Sequence, residues 1–518
     1  MKNAVGRDIP DELLKGGRKV YQGKNHLDGT LLQKVGPCTR RCEKPVETKV
    51  VKSLADALSL CGAKNGMTFS FHHHLRDGDY VVNMTMQSAI EELGLSDLTI
   101  AATSLGSAHD PVADYIEAGK ITGIQTSGIR GRIGEVVSSG KLKTPAVIRS
   151  HGGRPRAIES GEVHIDIAVI AAPTADQMGN CRGIGGKSDC GSLGYAMTDA
   201  KYADHVIVVT DCLVPFPNVP ASVEAIDVDA VVVVESIGDP KKIASKAARI
   251  TQNPRELMMA ERAADVIAAT PYFKEGFSFQ TGAGGPSLAV NLFLEERMDQ
   301  RGIKMGWAIG GICAPMVELL KKGKVQKVID VQDFDLDSVR SIHTTPGHFE
   351  MSASQYANPA NKGAFVNSLD FVVLAALEID TKFNVNVLTG SDGVLRGAPG
   401  GHPDAAAGSK CCVIVTPLVR GRMATVCEHV VTVTTPGDCV DVLVTDYGIA
   451  VNPLRQDLVK CLDDAGIEHV SIEALKEKAY AMVGRPDDLE WEDKVVAVLE
   501  ARDGTILDVV RKIKPVIL

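Results

Sequence analysis

Four short anchors recur in the same order along the 518-residue chain, at offsets of 204 to 215 positions. KNGMTFSF at 64–71 returns as KEGFSF at 274–279, and DPVADYIEAGKI at 110–121 returns as APMVELLKKGKV at 314–325. DIAVIAA at 166–172 matches DFVVLAA at 370–376, and GGKSD at 185–189 matches GGHPD at 400–404. One such pair could arise by chance, but four in order mean that the chain carries the same structural unit twice. The helical anchors carry matching boundaries, with Pro111 or Pro315 at the start and Gly119 or Gly323 at the stop, as helix termini require.

The runs DIAVIAA, HVIVVTD, DAVVVVES and DFVVLAA are apolar and β-branched without alternation, the pattern of strands buried on both faces. Helix-period segments lie between them. The expected fold is therefore α/β, two tandem and structurally similar domains with mostly parallel sheets. The repeat places an irregular arm at 1–49, a first domain at 50–268 and a second at 269–518, the last closed by a helix and a short strand after SIEALKEKAYAMVG.

A net charge of -9 and a pI near 5.8 exclude the basic face that a nucleic-acid binder needs. No apolar run reaches membrane-spanning length and the first residues show no signal-peptide core, so no membrane contact and a cytoplasmic location are expected. Twelve cysteines sit mostly in core-like contexts. The tight pair Cys38 and Cys42 has no second pair at zinc spacing, and no metal is expected. His72, His73 and His74 cannot converge on one ion from an extended backbone, because neighbouring side chains alternate; a loop lining a cleft suits them better.

Two glycine-rich loops are the candidate chemistry. FQTGAGGPSLAV at 279–290 runs from a strand into an apolar helix, and such a loop exposes backbone N–H groups at a helix N-terminus, where phosphate or a developing oxyanion is stabilised. It lacks the Walker and dinucleotide spacings. VLRGAPGGHPDAAAG at 394–408 is the second copy of the duplicated loop and adds Arg396, His402 and Asp404, the last placed to cap the following helix. Arg130, Arg132, Arg154, Arg156 and Arg182 also lie near glycines, where a guanidinium can fork onto a carboxylate; Arg182 sits in the first copy of the loop. GxSxG and HExxH signatures are absent. Glu378, after the DFVVLAA strand, is the candidate carboxylate nucleophile.

These motifs, with VTDYGIAVNP at 444–453, resemble the loop, glycine turn and strand end of the CoA-transferase superfamily, in that order. Within the superfamily the whole chain is similar to the citrate lyase α-subunit family. That resemblance implies two tandem CoA-transferase-like domains and an acyl exchange in which citrate replaces acetate on a thioester. The thioester belongs to a CoA-derived prosthetic group of the phosphoribosyl-dephospho-CoA type, carried by an acyl carrier protein (γ subunit) and not bound covalently to this chain. A citryl-ACP lyase (β subunit) completes the implied complex. Related transferases use a glutamate after the GxGxxP loop, but here IKMGWAIGG follows and no carboxylate lies between Asp299 and Glu318. Direct attack by a citrate carboxylate is the implied route, with Gly284, Gly285, Gly400 and Gly401 as oxyanion donors and His402 assisting thiolate departure. Arg396 and Arg182 are then the expected citrate clamps, with Gly282 and Asp404 completing the substrate site. Two other readings stay open: transfer from free acyl-CoA through a glutamyl intermediate on Glu378, and a non-catalytic ligand sensor.

Overall fold

The structure is a computed structural model that describes residues 1–26, 33–37, 47–244 and 250–514. Cys38 and Cys42 lie outside the described residues. The first sheet has ten strands, and six of its central members are parallel: Ala230–Val233, His205–Thr210, Ile167–Ala172, Thr68–Phe71, Leu98–Ala102 and Ile121–Thr126, in spatial order. The second sheet, of eight strands, has Ser278–Thr281 in the position of Thr68–Phe71. Met305–Ile312 and Val325–Asp333 stand on one side of it, and Phe371–Leu374 and Cys411–Val415 on the other, so the duplicated anchors occupy equivalent strands.

Local chemistry explains the elements. Ile167–Ala172 is buried at every residue because helices cover both faces of its sheet. Gly119 and Gly323 take left-handed backbone, with φ of 69° and 68°, just past the helices Val112–Glu117 and Ala314–Lys321. A side chain disfavours that conformation, so the paired glycines stop both copies of the helix at the same place. Among the described residues no helix is long and apolar enough to cross a membrane.

The C-terminal segment corrects the expected boundary. Trp491–Glu500 and Ile506–Ile513 form an antiparallel hairpin that does not close the second sheet; it pairs in parallel with Ala146–Ile148 at the edge of the first. Val496 to Leu499 are buried there, and Glu500 accepts from Arg149 Nε at 2.6 Å. The hairpin thereby covers an edge strand whose hydrogen-bonding groups would otherwise face water. Residues 1–26 pack on it in turn, with Val20 bridging to Ile506 and Asn3 Nδ2 donating to Leu507 O at 2.7 Å.

The two sheets meet through polar groups. Ser192 of the first half donates its backbone N–H to Asp333 at 2.9 Å, and the backbone N–H of Leu193 donates to Glu350 at 2.5 Å. Asp333 is hydrogen-bonded to Asp330, and Asp330 to His348 Nε2 at 2.9 Å, all three fully buried or nearly so. Burial pushes both aspartates up, Asp330 to about 8, and pushes His348 down. Folded protein therefore holds a proton that an unfolded aspartate, with a pKa of about 3.9, releases. Stability conferred by that proton is present at low pH and is lost as pH rises towards 8. Between about pH 7.5 and 8, where an unfolded histidine with a pKa of about 6.5 is almost fully neutral, the unfolding free energy of the wild type should fall by up to about 1.4 kcal/mol per pH unit for one such proton. Asp330→Asn should flatten that slope in urea titrations at several pH values.

Candidate active site

The two glycine loops face one cleft of about 630 Å³ between the halves. Gly284 is the N-cap of the helix Gly285–Arg301, and Gly401 is the N-cap of the short helix His402–Gly408. Among the described residues the backbone N–H groups of Gly284, Gly285 and Gly401 meet no acceptor, as expected for first-turn donors. Two other glycines differ from expectation. The N–H of Gly282 is taken by Val373 O at 2.8 Å, and that of Gly400 by Ser127 O at 3.4 Å, because both sit where the chain still pairs with a neighbour. Both line the cleft without a free donor.

His402 is fully engaged. Its Nε2 lies 2.9 Å from Ala375 O, a carbonyl that can only accept, so that nitrogen carries the proton. Nδ1 then accepts from Thr435 Oγ1 at 2.7 Å. Burial lowers its pKa to about 4. With both nitrogens occupied, His402 shapes the Ala375 turn in the cleft wall and is not placed to protonate a leaving thiolate. Asp404 is not the helix cap either: completely buried, it accepts from Ser150 Oγ and from the N–H of Gly152, each at 2.8 Å. It pins the second glycine loop to the first half and does not line the cleft.

Neither expected arginine clamp stands free inside the cleft. Arg396 stands half-exposed at the cleft mouth, paired with Asp392 at 2.8 Å and with Glu135 at 3.7 Å. Arg182 lies outside the cleft on the strand Cys181–Arg182, where its charge acts on Glu350. Arg132, Arg154 and Arg156 pair with Asp114, Asp199 and Glu162 respectively. Arg420 also lines the cleft, but its guanidinium donates to Ala376 O at 2.7 Å and to Thr416 Oγ1 at 3.1 Å; the cleft cations whose side chains have no hydrogen-bond or ion-pair partner among the described residues are Arg76 and Arg130. Arg76 lies over the Phe334 ring at 4.6 Å, and burial together with the charge of Arg130 lowers its pKa. Arg130 was among the glycine-flanked arginines of the sequence; the signal for Arg76 is only its place after the histidine run.

The histidine run alternates as its backbone requires. His72 and His74 point into the protein, while His73 reaches the cleft beside His151 and Tyr195. Burial, then the neighbouring His151, His74, Arg76 and Arg130, hold His73 neutral. Asp77 is the only carboxylate lining the cleft among the described residues. Glu378 is not there. It accepts from Asn386 Nδ2 at 2.8 Å and from the Val431 N–H at 3.0 Å, its pKa raised by burial, and it lines a second cavity of about 890 Å³ on the far side of Leu377. A cleft with free cations, neutral imidazoles and open helix N-termini is built to receive anions and to stabilise oxygen as it becomes negative.

The family model for the citrate lyase α subunit (CitF) matches residues 47–513. The chain belongs to the citrate lyase α-subunit family. It is 50% identical to the citrate lyase alpha chain of Haemophilus influenzae over 491 residues, 95% of this chain and 98% of that one. With the Escherichia coli alpha chain the identity is 51%, over 92% and 93% of the two chains. A crystal structure of the citrate lyase alpha subunit of Streptococcus mutans in complex with citrate superposes with a TM-score of 0.95 at 48% identity, covering 99% of this chain and all of that one. The alpha subunit of the Acinetobacter baumannii malonate decarboxylase shares the fold, at a TM-score of 0.63 and 16% identity over 84% and 88% of the chains. The chain is thus an enzyme subunit, the α subunit of the multi-subunit citrate lyase, with the citrate:acetyl-ACP transferase role of that family.

Gly401 gives a direct test of the cleft wall. A Cβ there would lie 2.5 Å from Tyr356 Oη, which itself bonds Gln280 Nε2 at 2.8 Å. Gly401→Ala should cost about 1–3 kcal/mol in urea unfolding. Adding Tyr356→Phe removes the clashing oxygen and should recover part of the loss, a coupling that a double-mutant cycle reads directly.

Proposed function

We propose that the cleft exchanges citrate for acetate on a carrier-borne thioester by direct attack within one ternary complex. The thioester would be the CoA-derived prosthetic group of an acyl carrier protein subunit, and a separate lyase subunit would consume the citryl product. The observation that carries this reading is that unpaired Arg76 and Arg130 share a cleft with the open helix N-termini at Gly284 and Gly401, while Glu378 stands outside it. Arg76 and Arg130 replace Arg396 and Arg182 as the cations for citrate, because a free guanidinium can fork onto a carboxylate whereas a paired one must first break its own bond.

In the first step a citrate carboxylate oxygen adds to the acetyl carbonyl, whose π pair moves onto oxygen; collapse expels the thiolate and leaves a mixed anhydride. The thiolate then adds to the citryl carbonyl, and the C–O bond to acetate breaks, releasing acetate and the citryl thioester. Each addition creates an oxyanion, and each well-placed N–H donor contributes about 3 kcal/mol to its stabilisation. Holding both reactants together supplies the rest as proximity. The glutamyl route through Glu378 has no support in the position of that residue.

Isotope exchange between labelled citrate and the acetylated carrier protein tests the reading; a chain that only binds ligand would show none. Arg76→Met and Arg130→Met should each weaken citrate by about 10- to 100-fold, the worth of a charge-assisted hydrogen bond, whereas Arg182→Met should leave it within threefold. Mass analysis after incubation with acyl thioester should find no adduct on the peptides of Glu378 or Asp77. An adduct on either would replace direct attack with a covalent route.

A further inference from the structure

His151 faces the cleft, and the exchange as described gives it no role. Its backbone is clamped on both sides. Asp404 holds Ser150 Oγ and the Gly152 N–H at 2.8 Å, and the N–H of His151 itself donates to Gly400 O at 2.9 Å. The ring therefore lies against the second glycine turn: a Cβ built on Gly400 would stand 3.4 Å from Cε1 and 3.6 Å from Nε2.

The tautomer follows from one partner. Tyr195 Oη is 2.6 Å from His151 Nδ1, and among the described residues that phenol has no other hydrogen-bond partner. Tyr195 is 3% exposed, and burial drives its pKa far above the ordinary value, so its proton stays in place. If Nδ1 were the donor, the buried phenolic proton would have nowhere to go, a loss of about 1–3 kcal/mol. The phenol therefore donates to Nδ1, and the imidazole proton sits on Nε2. That nitrogen has no acceptor in the described chain and is not sealed from the cleft. The groups facing the ring are Tyr195, His73 at 5.7 Å, Arg130 and Arg154. None is an acid that could hold a proton on it. Burial, then the charges of Arg154 and Arg130, bring its pKa to about 3.

We propose that His151 is a catalytic hydrogen-bond donor of the acyl exchange, presenting a neutral Nε2–H to the oxyanion that forms beside Gly401, with Tyr195 as the positioning residue that fixes its tautomer. The inference rests on the exchange reading above. The proton remains on Nε2 throughout: the carbonyl π pair moves to oxygen, the N–H shortens its hydrogen bond to that oxygen, and the pair returns as the thiolate or acetate leaves. A neutral donor suits this task in a cleft already holding two unpaired arginines, since an imidazolium there would face uncompensated like charge.

The test uses the full chain with its acetylated carrier protein and labelled citrate. His151→Phe should lower the exchange kcat by about 10²-fold, as removal of one oxyanion donor does, with the citrate KM changed less than threefold. His151→Gln, which restores an amide N–H, should recover at least tenfold of the loss, and thermal melting should show both variants folded. Tyr195→Phe should lower kcat by about tenfold while His151 remains in place. Nitrogen-15 spectra of histidine-labelled protein should show His151 protonated at Nε2 alone and unchanged from pH 5.5 to 8. Protonation at Nδ1, a titration near pH 6, an exchange rate for His151→Phe within threefold of wild type, or a loss confined to KM would each overturn the proposal. Wild-type protein that exchanges no label would instead sink the functional reading and the inference with it, an outcome separate from a normal wild type with an indifferent His151 variant.

Discussion

Everything at the cleft depends on one buried carboxylate. Asp404 belongs to the second half of the chain, yet its hydrogen-bond donors, Ser150 Oγ and the Gly152 N–H, belong to the first. Its third neighbour, Arg502 at 3.8 Å, comes from the turn of the C-terminal hairpin. A lone ionised carboxyl at zero exposure would be expensive, and burial does push this one up, to about 6; Arg502 and the two hydrogen bonds pull it back down. At neutral pH it is charged and holds three segments at once. The Gly152 side of the clamp leaves no room for error, because a Cβ there would lie 2.1 Å from Ala357 O and 2.7 Å from Asp404 itself. From this clamp follow the seating of His151, the lie of the Gly400–Gly401 turn and the shape of the cleft between the sheets.

The duplication, the parallel sheets and the convergence of two glycine loops were legible in the sequence because they rest on local requirements: period, capping and positive φ. Gly119 and Gly323 show this most plainly, each ending its helix at the same backbone angle. What failed was the assignment of long polar side chains, whose partners are set by tertiary structure. Arg396 lies beside the glycine turn, but Asp392, four residues earlier, captures its guanidinium. Asp404 looked like a cap because it opens a helix, and only the fold shows that the first half supplies its donors. The pairing of the C-terminal hairpin was missed for a related reason: its apolar runs VVAVL and ILDVV read as strands, but nothing local says which of two similar sheets has an open edge.

The two halves contribute different chemistry to the cleft. Arg76, Arg130, His73, His151 and Tyr195 all come from the first half, while the open helix N-termini and the His402–Ala375 wall come from the second. Cations and fixed N–H dipoles do different work: long arginine side chains can follow a flexible anion, whereas helix termini act only where the backbone holds them. Separating them on two rigid sheets keeps both precise. It also means that neither half alone contains a competent site.

The duplicated glycine loops show how such a division can arise from equal copies. In the first copy, GGKSD, Asp189 accepts the N–H of Gly186 at 2.7 Å, three residues back in its own loop, and the loop is satisfied locally. In the second copy, GGHPD, the matching Asp404 turns away from its own loop and takes Ser150 and Gly152 from the other half. The N–H of Gly401, equivalent to Gly186, is thereby left without an acceptor and faces the cleft. One change of partner by one aspartate therefore does two things together: it fastens the halves to each other, and it frees the backbone donor that an oxyanion requires.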